Sequence, residues 1–291
     1  MFIGVGAPNG LQLNIKGAAS EDVIDALNFL RTYNLRGSVP VRKNLVVIGG
    51  GNAAIDAART ALRLGAEKVD IIYRRTQEEM PAYKEEIEQA VDEGIVLHTL
   101  TDPIEILSHE NRVTGVLCCA MKLGSFDASG RRHPESNENT FILPTDQVIM
   151  AVGQTLDCKE IIDDLQIKTA KNDSIIVTNP INGQTSVPWI FSGGDAATGP
   201  ASVITAVACG EKAAVGIDEF LTGEAHAFWR EEKRNDTFFD PNVDPSMVPR
   251  IKIKILDSNR RKYNFDEVEM AWLESDAVQQ AKRCLRCDYR K

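Results

Sequence analysis

Nothing in this sequence approaches the roughly 18 consecutive apolar residues of a membrane-crossing helix. The first ten residues, MFIGVGAPNG, lack the basic stretch and apolar core of a secretory signal. Positive charge is also in deficit. Lysine and arginine number 33 against 42 aspartates and glutamates, and the net charge of -9 argues against a nucleic-acid surface. Histidine is scarce: His98, His109, His133 and His226 are scattered without ligand spacing. No Ser–His–Asp or Cys–His arrangement offers a nucleophile. The six cysteines form no disulfide framework of a small secreted domain. Cys118 and Cys119 are adjacent in an apolar stretch, Cys158 and Cys209 stand alone, and Cys284 and Cys287 form a CxxC near the end. Internal repeats and low-complexity tracts are lacking too. These absences leave a cytoplasmic globular protein as the expectation.

What is present is the patterning of an α/β protein. The 291 residues are enough for two domains, or for one with insertions. Phe2 to Val5 reads as a short strand, and Glu21 to Tyr33 has the apolar spacing of a helix. Leu45 to Ile48 reads as a buried strand, Ala54 to Leu62 as a helix stopped by Gly65, and Val69 to Tyr73 as a second strand. That order is the first half of a doubly wound sheet. A charged helix over Tyr83 to Glu93 follows, then strands near Ile95 to Leu100, Glu105 to Leu107 and Val113 to Leu123. The polar stretch Phe126 to Thr140 suits an exposed hairpin tip or loop. Further strands are expected over Gln147 to Val152 and Trp189 to Ser192. Helices are expected over Ala201 to Leu221 and about Glu274 to Arg283.

The chemistry concentrates at IGGGNAAIDAA, Ile48 to Ala58. Gly49, Gly51 and Ala54 give G-x-G-x-x-A. The first glycine permits a tight turn, the second a close backbone approach to a pyrophosphate, and the small third residue close helix–strand packing. Free N–H groups at the helix start then face the phosphates. The motif follows a strand and opens a helix, which is the context it requires. An acid commonly ends the second strand of an NAD site. Here Tyr73-Arg74-Arg75 stands there, with Arg74 placed 23 residues past Gly51 and Asp70 too early in the strand. Two guanidiniums at this point either pair with a 2′-phosphate, which points to NADPH over NADH, or are solvated charges.

VVIGGGNAAIDAARTALRLGA followed by YRRTQEEMPA resembles the small (beta) subunit of NADPH-dependent glutamate synthase and its relatives. VTGVLCCAMKLGSFDASGRR, VIMAVGQ and SVPWIFSGGDAATGPASVITAVACGEKAA extend the likeness over roughly residues 1 to 221. The resemblance implies a Rossmann-like, doubly wound NAD(P)-binding domain inserted into an FAD-binding domain. On this chain that gives a partial FAD-binding domain and linker at 1–43, the NAD(P)H-binding domain at 44–153, a second FAD segment at 154–222, and a C-terminal docking tail at 223–291. It implies NADP(H) on Gly49, Gly51, Asn52 and Ala53, with Arg74 and Arg75 at the 2′-phosphate. Ala151, Gly153 and Gln154 would close that domain beside the nicotinamide. FAD would meet Gly194 and Asp195, with Ser202 and Val203 opening the next helix. A carboxylate at a strand end can accept hydrogen bonds from ribityl hydroxyls, and a helix N-terminus can face the flavin. The alternative for Asp195 is a plain helix N-cap. EEMPA, Glu78 to Ala82, either opens a helix, with Pro81 in its first turn, or gates the cofactor.

The family's FAD domain begins with its own glycine fingerprint, and this sequence has only the nicotinamide one. The expectation is therefore an NADPH-linked flavoprotein module working with an iron–sulfur or flavin-containing redox subunit; either the chain is a fragment, or the missing FAD half is supplied by another chain, or the module binds NADPH without stable FAD. The alternative is a non-catalytic NADP(H)-binding and docking module. Asn264 to Arg290 resembles the start of the family's cluster-binding domain. Cys284 and Cys287 either share an iron–sulfur cluster or zinc with a partner, since two thiolates cannot hold a four-cysteine cluster, or are idle thiols. The aromatics of FWREEKRNDTFFDPNVDP point to docking.

Overall fold

The structure, a computed structural model, describes residues 1–126, 130, 132–170, 174–224, 226 and 249–283. The chain divides into two compact units, Met1–Ala227 and Phe228–Lys291.

The first unit runs β1 (Phe2–Ile3), β2 (Asn9–Gly10), β3 (Val23–Asp25), α1 (Ala26–Arg36), β4 (Asn44–Ile48), α2 (Asn52–Arg63), β5 (Lys68–Tyr73) and α3 (Lys84–Asp92). It continues with β6 (Val96–Thr99), β7 (Thr101–His109), β8 (Arg112–Phe126), β9 (Arg132–Pro144), β10 (Gln147–Met150), β11 (Gln154–Thr155) and α4 (Lys159–Asp164). Last come β12 (Val177–Asn179), β13 (Gln184–Thr185), β14 (Phe191–Ser192), α5 (Asp195–Thr198) and α6 (Val203–Thr222).

The central sheet is parallel throughout, in the order β3-β10-β4-β5-β6. Both of its faces are covered, which is why its strands read as continuous apolar runs. Leu45, Val47, Val69, Ile71 and Ile149 pack on the helical side. Val46, Ile48, Ile72, Val148 and Met150 pack against Ile106, Val116, Cys118 and Leu143 of the antiparallel meander β7-β8-β9. A buried ion cluster ties α2 to the end of α3: Arg59 and Arg63 reach Glu93 at 2.7 and 3.0 Å.

Two expectations are revised here. The helix expected from Glu21 starts only at Ala26. Val23 to Asp25 are instead an edge strand on β10, and Asp25 caps α1 by accepting from the Asn28 N–H at 2.9 Å. β3 thus belongs to the central sheet and Phe29 of α1 to its helical-side core. The stretch Phe126 to Thr140 is exposed and lies in a hairpin, as one of the two readings had it, but from Arg132 onward it is strand rather than loop, because β9 pairs with β8 from Arg132 to Pro144. Its residues are exposed on both faces, so no alternation marked it.

A smaller sheet, β1-β14-β13-β12, holds β1 and β14 parallel over a core of Ile3, Ile162, Ile175 and Ile190. The two-stranded ribbon β2-β11 joins the two sheets' chain segments. Among the described residues, no helix is long and apolar enough to cross a membrane. The second unit contains α7 (Ser258–Arg261) and α8 (Glu274–Ala281), the latter where a helix was expected. Cys284 and Cys287, and the aromatic segment from Phe228, lie outside the described residues.

Candidate functional site

A cleft of about 960 Å³ opens at the C-terminal ends of the parallel strands, where open α/β sheets bind ligands. The turn from β4 to α2 forms its base. Gly49 has φ +143°, and a side chain there would run into the Ala151 carbonyl. Gly51 differs: a Cβ there would meet only Pro81, at 3.9 Å, so its open side faces the cleft. It caps α2 with no side-chain bond, and the N–H groups of Asn52 and Ala53 have no acceptor among the described residues. These are the features an anionic dinucleotide backbone needs.

The segment after β5 forms one wall. Its short 3₁₀ turn, Gln77–Glu79, carries a Thr76–Glu79 capping box. Met80 and Ala82 are buried in the helical-side core, Ala82 N–H donates to the Gly50 carbonyl, and Tyr83 N–H donates to Asn52 Oδ1 at 3.0 Å. Tyr73 O–H donates to the Glu79 carbonyl at 2.9 Å. EEMPA is thus packed against the helical-side core, with Pro81 and the following Tyr83 lining the cleft.

The two arginines differ. Arg74 is exposed and lines the cleft. Arg75 also lines it, but is buried, and its Nε donates to the Arg132 carbonyl of β9 at 2.9 Å.

Of the residues expected from sequence, Gly49, Gly51, Asn52, Ala53, Arg74, Arg75, Ala151, Gly153, Gln154, Asp195 and Ser202 all line this one cleft. Gly194 and Val203 do not. Gly194, at φ +62°, caps α5, and Val203 points outward at 78% exposure. Asp195 is not a helix cap: its Oδ1 accepts from the Ala201 N–H at 3.1 Å, bracing the loop into α6. Ser202 caps α6 by accepting from the Thr205 N–H at 3.2 Å. Sequence reasoning missed Asp102, at the start of β7, together with Asp25 and Leu11 to Leu13. No motif marks them, because strand pairing and the β2-β11 ribbon bring them in. Among the described residues no cluster could hold a metal ion.

The pyridine nucleotide-disulphide oxidoreductase family model matches residues 1–210. The NADP(+)-dependent formate dehydrogenase subunit beta of Moorella thermoacetica is 37% identical, over 93% of this chain and 40% of its own. The glutamate synthase [NADPH] small chain of Escherichia coli (strain K12) is 35% identical, over 76% of this chain and 50% of its own. This chain thus spans half or less of these curated relatives. Mycobacterium tuberculosis FprA in complex with NADPH superposes with a TM-score of 0.63 at 20% identity, covering 76% of this chain and 63% of that one. The fold is that of the two-dinucleotide-binding-domain oxidoreductases, as the glutamate-synthase resemblance implied.

Proposed function

The chain belongs to the pyridine nucleotide-disulphide oxidoreductase family, and we propose that it is an NADPH-linked redox module of the glutamate-synthase small-subunit kind. One observation carries this reading. The glycine turn, Arg74, the 151–154 exit and the Asp195–Ser202 loop meet in a single cleft. When bound, NADPH supplies a hydride and FAD receives it. The residues here bind and orient rather than exchange protons. Asn52 and Ala53 offer N–H groups to the pyrophosphate, Arg74 and Arg75 offer cationic donors to a 2′-phosphate, and Ala151, Gly153 and Gln154 border the nicotinamide end. Gly194 and Asp195, with Ser202 and Val203 at the start of α6, are proposed to serve FAD.

α6 exposes Val203, Ile204 and Val207. Large apolar residues grouped like this mark a surface that another segment covers. We assign that role to a flavin-binding half, and electron delivery to an iron–sulfur or flavin subunit. Cys284 and Cys287 are proposed as ligands shared with it.

The test of the cofactor site is a fluorescence titration with NADPH and NADH. Arg74→Ala is expected to weaken NADPH and spare NADH. Equal loss for both would show that Arg74 does not read the 2′-phosphate.

A further inference from the structure

The cleft holds a charged group that neither the glycine turn nor the arginine pair calls for. Asp102, the second residue of β7, lies half-buried on its wall. The backbone is strained to put it there. Leu100, between β6 and β7, has φ +50°, a left-handed conformation that leucine rarely adopts. Two hydrogen bonds hold the turn. Leu100 N–H donates to the Arg75 carbonyl at 2.9 Å, and Met121 N–H donates to the Leu100 carbonyl at 2.7 Å. The neighbouring Thr101 is buried, and its hydroxyl donates to the Thr99 carbonyl at 3.0 Å. The start of β7 is thereby tied to the arginine segment that follows β5.

Burial pushes the Asp102 carboxyl above its usual range, and the nearby Arg74 charge only partly offsets this. Among the described residues none donates a hydrogen bond to this carboxylate. Across the ladder stand Cys119, its register partner, and Cys118, neither of which can offer a positive charge. A partly desolvated carboxylate short of donors favours a ligand that brings hydroxyls.

Arg74 and Asp102 therefore favour different ligands. A guanidinium pairs with the 2′-phosphate of NADP(H). An acid accepts hydrogen bonds from the ribose hydroxyls of NAD(H) and repels a phosphate. We infer that Asp102 is a specificity-determining residue that works against Arg74, so that the cleft accepts both nicotinamide dinucleotides and this pair of side chains sets their ratio. The inference rests on the reading that Arg74 meets the 2′-phosphate.

The experiment is calorimetric titration of the full chain with NADP+ and with NAD+, for wild type, Asp102→Asn, Asp102→Ser and Arg74→Ala. Removing the like charge should tighten NADP+ roughly five- to tenfold in Asp102→Asn, while NAD+ weakens. Asp102→Ser should move the ratio in the same direction, which guards against a local defect of either variant. Suppose Arg74→Ala weakens NADP+ but neither Asp102 variant changes the NADP+/NAD+ ratio. Then Asp102 is only structural and the inference falls by itself. If Arg74→Ala leaves NADP+ binding intact, the reading of the arginine falls and this inference with it.

Discussion

Gly49 and Gly51 stand two residues apart in one turn, and substitution to alanine should separate folding from binding there. Gly51 has φ -89° and ψ 174°, which alanine adopts without strain. A Cβ would lie no closer than 3.9 Å to any neighbour. Losing glycine's unfolded-state freedom stabilises by about 0.4–1 kcal/mol, and alanine is a poorer N-cap than glycine by roughly a similar amount. The two offset, so the melting temperature should move by no more than about 2–3 °C. The methyl would nevertheless project into the face open to the pyrophosphate, and NADPH affinity should fall at least roughly tenfold. Gly49→Ala should do the reverse of this separation. Its φ of +143° is closed to alanine, and the methyl would fall 2.2 Å from the Ala151 carbonyl oxygen. That costs on the order of 3 kcal/mol or more, a drop of about 6–12 °C. Thermal melts and NADPH titrations of both variants decide the matter. A Gly51→Ala chain that melts normally and binds NADPH as well as wild type would refute the assignment of that face to the cofactor.

Three further outcomes are expected. Glu93 is fully buried between Arg59 and Arg63, so Glu93→Gln, which leaves both guanidiniums uncompensated, should cost about 3–5 kcal/mol by urea unfolding. A loss under about 1 kcal/mol would mean that the cluster is dispensable. The Cys118 thiol is buried and pushed up to about 12, so iodoacetamide at neutral pH should leave it unmodified until the chain is unfolded. The Asp102 carboxyl is raised from 3.8 by burial. Its contribution to stability is therefore complete below that value and is lost as pH rises through the raised one. Asp102→Asn should remove that part of the pH dependence in unfolding curves taken between about pH 4 and 7.

The parts of this protein that sequence made legible are those whose role is local. Gly49, Gly51 and Ala54 act within one strand–turn–helix unit, and all three sit where the spacing placed them. Arg74 and Arg75 directly follow the next strand, β5, which ends at Tyr73. What was hidden depends on pairing between distant segments. Val23 and Ile24 have helix-compatible spacing, but β10 recruits them as an edge strand. Up to Ile142 the polar β9 carries no alternation because almost all of its residues are exposed on both faces, so only its register with β8 makes it a strand. Arg75 reads like Arg74, yet its Nε is committed to the carbonyl of Arg132, 57 residues away. Asp102 enters the cleft only through the strained turn at Leu100.

Passage of electrons from NADPH to flavin in this cleft is the function proposed for the chain. It is tested most directly by the visible spectrum of the purified chain, with and without added FAD, before and after anaerobic NADPH. A flavin absorption band that bleaches on NADPH addition is the expected result. A chain that retains no flavin after reconstitution, while still binding NADPH, would contradict the redox reading and leave a dinucleotide-binding and docking module.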